Sequence, residues 1–219
     1  MPDLSFSDDE RERIKTAVAE AERRTAGEIV PFVVARSGRY DSAVWRGASA
    51  GAILTGALAL LVAWGYDGWG LGWLYSAWGM ALAMTVGGLA GALASRPAAM
   101  VRLLTPDDEL SEQVHRRAAE AFLDEEVFDT KDRTGILILV SLLEHRIEVV
   151  GDVGINAKVE TSEWVDVVGR VRSGILEGDL AGGLVDAIAL CGELLHRRGI
   201  VVLPDDTDEL PDDLRVSDR

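Results

Sequence analysis

Four carboxylates carry the chemistry that this sequence could do: Glu28, Asp129, Asp132 and Asp152. Asp152 stands between glycines at the exit of RTGILILVSLLEHRIEVVGDVGIN (residues 133–156), and Glu28 opens a second apolar run, EIVPFVVA (28–35). Carboxylates that crowd together repel unless a proton or a cation compensates, and hard oxygen donors suit Ca²⁺ or Mg²⁺. The four acids are therefore the candidate metal ligands, with Ca²⁺ or Mg²⁺ as the candidate cofactor. A plainer reading stands beside this one. Asp before Gly is ordinary turn chemistry, and Arg133 or Lys131 can pair with these acids at the surface.

No catalytic residue is expected. The sequence has no Gly-x-Ser-x-Gly, no phosphate-binding Gly-x-x-x-x-Gly-Lys and no His-Glu-x-x-His. Asp206-Thr207-Asp208 has the spacing of an aspartyl phosphatase pair but lacks the apolar strand that should precede one. His115, His145 and His196 are dispersed, and Cys191 falls in an apolar helical pattern that suits core packing. A single cysteine excludes an internal disulfide.

The elements that must bring the acids together follow from periodicity. Ser7 and Glu10 have capping-box spacing and start a helix over about 8–24. The runs 28–35, 135–142 and 146–150 read as strands, the last two joined as an antiparallel hairpin. The run 28–35, apolar and rich in β-branched residues, reads as a buried strand, with Pro31 as a blemish, since proline removes a ladder donor and favours an edge. Helices are predicted from Pro106, over about 162–176 and over about 180–198. A strand–helix–strand order favours a parallel crossover. Strands 28–35 and 135–142 then start at one sheet edge, where the third strand ends. That topology gathers Glu28, Asp129, Asp132 and Asp152 at one place.

Residues 47–95 hold one charged residue, Asp67. Two spans of about 20 residues, each enough to cross roughly 30 Å of hydrocarbon, fit there. The reading is a transmembrane hairpin with spans 47–66 and 72–95. Trp64, Tyr66, Trp69, Trp73, Tyr75 and Trp78 gather around its link as an interfacial belt. Small residues recur every fourth position (Gly47, Gly51, Thr55; Gly79, Ala83, Gly87, Gly91), which suits close helix packing within the hairpin or between protomers. Arg36, Arg39 and Arg46 precede the first span, Arg96 and Arg102 follow the second, and the link has no Lys or Arg. Both flanks are therefore expected in the cytoplasm. The acidic N-terminus is no cleavable signal. A net charge of −15 argues against nucleic acid or an anionic lipid surface as the main partner and fits cations or basic partners better. The expected organisation is 1–42 and 103–203 as two parts of one α/β domain, 43–102 as the membrane hairpin, and 204–219 as a solvated acidic tail.

The run RTGILILVSLLEHRIEVVGDVGI, preceded by Ala26-Gly27-Glu28-Ile29-Val30 and followed by Trp164, Gly182-Gly183-Leu184 and Asp208-Glu209-Leu210-Pro211, resembles the TPM domain family in its bacterial membrane-bound branch. Relatives in that family include thylakoid-lumen proteins of photosystem II repair and a nematode acetylcholine-receptor modulator. The resemblance implies a small three-layer α/β/α sandwich, Rossmann-like with a mixed sheet, here interrupted by the two-helix hairpin. It implies a membrane-tethered, non-enzymatic module that binds divalent cations and assists or maintains a membrane protein complex. A metal-assisted phosphatase acting on phosphomonoesters is the alternative that it implies. The expected location is the bacterial inner membrane with the main domain in the cytoplasm. The expected partners are the bilayer, through residues 47–95, and a membrane protein or a second copy. Many relatives carry Asn-Gly or Asn-Asn-Gly before the second strand, where this chain has Arg133-Thr134-Gly135.

Overall fold

An apolar run with no polar alternation can be buried only if both of its faces are covered. EIVPFVV and GILILVS obey this rule, and every residue of both is buried. A computed structural model describes residues 4–65, 72–202 and 209–218. In chain order its elements are α1 (Asp8–Glu22), β1 (Glu28–Val34), α2 (Asp41–Gly65), α3 (Ala77–Ala94), α4 (Ala98–Leu104), α5 (Asp107–Asp124), β2 (Gly135–Ser141), β3 (Arg146–Gly151), α6 (Val153–Asn156), α7 (Val165–Glu177), α8 (Leu180–Arg197) and β4 (Arg215–Ser217). The chain forms two compact units, Met1–Gly38 with Ser111–Arg219, and Arg39–Leu110.

The first unit is mixed α/β. Its sheet runs β3-β2-β1-β4, with β1 parallel to β2 and to β4, and β2 antiparallel to β3. The period-2 alternation of side chains sorts the strands' residues to two faces. Ile29, Val33, Ile136, Ile138 and Val140 join one apolar cluster with Ile14 and Val18 of α1, Val171 of α7, and Leu184, Ile188 and Leu195 of α8. Val30, Phe32, Val34, Leu137 and Leu139 join another with Val114, Ala118 and Ala121 of α5. The capping box at the start of α1 is formed: Glu10 N donates to Ser7 Oγ at 3.3 Å and Ser7 N to Glu10 Oε2 at 2.8 Å.

One apparent misfit is explained and one expectation corrected. Pro31 sits inside the sheet, since β1, the expected buried strand, has a neighbour on each side. The reason is which way its missing donor would point. Glu28 N donates to Thr134 O toward β2, and Ala35 N to Ser217 O toward β4, so the odd positions face β4. Pairing with β4 begins at Phe32, one residue after Pro31, and no ladder bond is lost. The correction concerns the tail. Leu210 and Leu214 are buried and Arg215–Ser217 adds the strand β4, so this part is folded. Residues 204–208 of the expected tail, including Asp206-Thr207-Asp208, lie outside the described residues.

The second unit is helical. α2 and α3 are long and apolar enough to cross a membrane, with mean hydropathy 1.7 and 1.5 over their most apolar windows, of which 17% and 11% is buried. A core helix of a soluble protein would be mostly buried; here Leu54, Leu58, Leu61, Leu82, Val86, Leu89 and Leu93 are exposed. The small-residue stripes face each other within the hairpin. A methyl added at Gly51 would collide with Gly87 O, and one at Gly91 with Gly47 O. Trp64, Trp73 and Trp78 of the aromatic group are exposed near the link. Tyr66 and Trp69 lie outside the described residues.

Candidate functional site

The sheet brings the segments of all four acids to one edge. Glu28 pairs with Gly135, and Ile136 with Gly151, so the start of β1, the loop into β2 and the end of β3 are neighbours. The side chains do not converge as a donor set. Among the described residues, no group of three or more His, Cys, Asp or Glu is placed to hold a metal ion. Asp129 and Asp132 are exposed on the loop, whereas Glu28 and Asp152 are buried and serve different neighbours.

Asp152 is engaged on both carboxylate oxygens. Arg133 donates from Nε to Oδ2 at 2.6 Å and from Nη2 to Oδ1 at 3.0 Å, a bidentate fork. Oδ1 also accepts from Val153 N at 2.7 Å, capping α6. This pairing holds the Arg133 guanidinium above its usual pKa, chiefly through the Asp152 hydrogen bonds. Arg133 itself sits at φ 57°, a left-handed conformation that is uncommon outside glycine, and its guanidinium lies 5.8 Å from the Phe128 ring centre. The flanking glycines have a packing reason. Gly154 N donates to Arg133 O at 2.9 Å, and a side chain at 154 would strike the Asp132 and Arg133 carbonyls.

Glu28 faces the C-terminal segment instead, where its Oε2 accepts from Leu210 N at 3.2 Å. Beside it, Glu209 Oε2 accepts from Lys131 N at 2.9 Å. The four expected ligands therefore do not fit a divalent ion as placed: two are spent on an arginine and on backbone donors, and two point to solvent. Arg133 supplies the positive charge that Asp152 requires.

Two further acids were not singled out by sequence reasoning. Glu22, at the end of α1, accepts from Ile29 N at 2.8 Å, a β1 donor on the side where β4 has not yet begun. Burial pushes its carboxyl up to about 9. Asp212 Oδ1 is buried without a hydrogen-bond donor among the described residues, and the Asp212 side chain adds to the upward shift of Glu22. Glu144 is buried in the β2–β3 turn, at the opposite edge of the sheet. It accepts from Ser37 N at 2.8 Å and from Ser141 Oγ, which is itself 2.7 Å from Ser37 Oγ. No spacing in the sequence announces either; both become visible only when β1 and β2 lie side by side.

The histidines remain apart. His145 is exposed, His196 lies in the last turn of α8, and His115 Nδ1 is 2.7 Å from Glu148 Oε1, a hydrogen bond that raises its pKa. Cys191 is fully buried and its thiol is pushed up to about 12 by that burial.

No protein-family model matches the chain, and no curated protein matches it. Among solved structures it is similar to the BA42 protein of the psychrophilic bacterium Bizionia argentinensis, determined by NMR. That match has a TM-score of 0.59 at 19% identity and covers 99% of each chain. At that identity the likeness is one of fold.

Proposed function

We propose that this chain is a membrane-tethered, TPM-like module without catalytic chemistry of its own, which assists or maintains a membrane protein complex. The observation that carries the reading is a pair of helices with exposed leucines and valines, inserted between the two sequence parts of an α/β unit. A bilayer is the medium in which such faces are not a liability. We include in the proposal the finer architecture, three layers with helices on both faces of the sheet, for which the two apolar clusters are the support. The proposed site is the bacterial inner membrane with the α/β unit in the cytoplasm, supported by the arginines at the outer ends of the hairpin. Divalent-cation binding is not carried forward for the acidic edge, because Arg133 already neutralises Asp152.

The test is cysteine labelling in intact cells. A cysteine replacing Gly72, near the link, should react with a membrane-impermeant maleimide, and one replacing Ser5 should react only after lysis. The reverse pattern would place the domain outside the cytoplasm. Phosphate release from p-nitrophenyl phosphate that requires Mg²⁺ or Ca²⁺ and is lost in Asp152→Asn would favour the phosphatase alternative.

A further inference from the structure

The helical unit carries a surface that the two spans leave unexplained. After α3 the chain turns at Ser95-Arg96-Pro97 and forms α4, which lies against the first turns of α2: Arg46 Nη1 donates to Leu104 O at 2.8 Å. Arg46 is also paired with Glu109 at 3.3 Å. Val101 of α4 is turned inward, whereas Met100 and Leu103 are exposed, Leu103 by 74%. Trp45, in the first turns of α2, is exposed by 75%. Gly47 packs against Ser95, so these residues all sit at the end of the hairpin away from the link. Arg39 and Arg96 are exposed there and make no ion pair among the described residues. Arg102 adds a third positive charge in the last turn of α4.

A leucine, a methionine and a tryptophan rimmed by arginines make up the composition of a helix lying in a lipid interface. The apolar part belongs to the same unit as the exposed leucines and valines of α2 and α3. At headgroup depth anionic phosphates attract arginine side chains. Resting on the transmembrane reading, we propose that α4 is an interfacial helix that docks Met100 and Leu103 into the bilayer surface, with Arg39 and Arg96 binding anionic phospholipid headgroups. Asp41, Asp107 and Asp108 are exposed at the same end and Glu109 is paired with Arg46, so this end carries no net positive field and headgroup binding rests on Arg39 and Arg96 individually. Screening over about 10 Å at 0.1 M salt limits the reach of the chain's net −15.

The full chain is reconstituted in vesicles of phosphatidylcholine, alone or mixed with phosphatidylglycerol, with a nitroxide on Leu103→Cys. A second variant, Leu89→Cys, reports on α3. The native Cys191 is buried and does not compete for label. Position 103 should be relaxed by oxygen and shielded from a water-soluble nickel complex, more so with phosphatidylglycerol. Arg39→Gln and Arg96→Gln should each lower the docked-to-undocked ratio about fivefold in the anionic vesicles, an effect that salt suppresses. Nickel access at 103 with lipid protection at 89 overturns the interfacial docking and leaves the hairpin standing. Nickel access at both positions overturns the transmembrane reading itself. Shielding of 103 from both reagents, equal in detergent and in either vesicle, means that protein covers α4, and the lipid occupant is wrong.

Discussion

Asp152 shows how one side chain can look like a ligand and be something else. An aspartate between glycines at a strand end has the open surroundings of an ion site, and its neighbour in space decides otherwise. Arg133 reaches it in bidentate geometry, from a backbone conformation that costs an L-residue energy. Asp152→Asn should lose the charge on these hydrogen bonds and lower stability by on the order of 1–3 kcal/mol. Chemical denaturation of the detergent-solubilised chain measures this. Arg133→Ala should cost more than Asp152→Asn, because it leaves a buried carboxylate unpaired. Titration of the unmodified chain with Ca²⁺ or Mg²⁺ should give no saturable rise in Tm; a rise abolished by Asp152→Asn would restore the metal reading, since a ligand specific to the folded state must stabilise it.

At the scale of elements, Glu22 and Pro31 together explain how β1 tolerates a partial neighbour. β4 covers only Phe32–Val34, so the earlier residues on that side need other partners. Pro31 has no donor to satisfy, and Ile29 finds Glu22. The half-buried Glu22 carboxyl has its pKa pushed up to about 9, far above its usual 4.5. Between those values the unfolded chain has released the proton and the folded chain has not, so stability falls as pH rises through that window. Glu22→Gln keeps the acceptor for Ile29 N and removes the titration. It should leave stability nearly unchanged near pH 4 and raise it by on the order of 2 kcal/mol at pH 7, seen as a flatter profile of Tm against pH. The hairpin makes a parallel case. Gly51 and Gly91 let α2 and α3 touch backbone to backbone, so Gly91→Leu should splay the helices. Distances between spin labels on α2 and α3 would widen; unchanged distances would mean that the glycines are incidental.

For the whole molecule, the hairpin's exposed apolar faces predict that the chain remains in the membrane pellet after alkaline carbonate extraction. Replacing Leu54, Leu58 and Leu61 by Ser should release it. How much of this was legible in the sequence depended on range. Continuous apolar runs announced β1 and β2, and hydropathy announced α2 and α3, because burial and lipid contact act on every residue of a segment. Ser7 and Glu10 announced the start of α1, because a cap is made within four residues. The acidic edge was legible as a place, since strand directions alone bring Glu28 and Asp152 to it. Its chemistry was not. Whether Asp152 meets a metal, water or Arg133 turns on a side chain 19 residues away in sequence, and on a loop whose backbone had to become left-handed to present it.

The sequence by itself determined the apolar strands, the two long apolar helices and the neighbourhood of the four acids, all consequences of local composition and period. Only the tertiary structure decided that Pro31 sits inside the sheet, that the C-terminal segment folds back as β4, and that Arg133 neutralises Asp152. Each of these depends on where the donors and charges of one segment point relative to another, and no single segment carries that information.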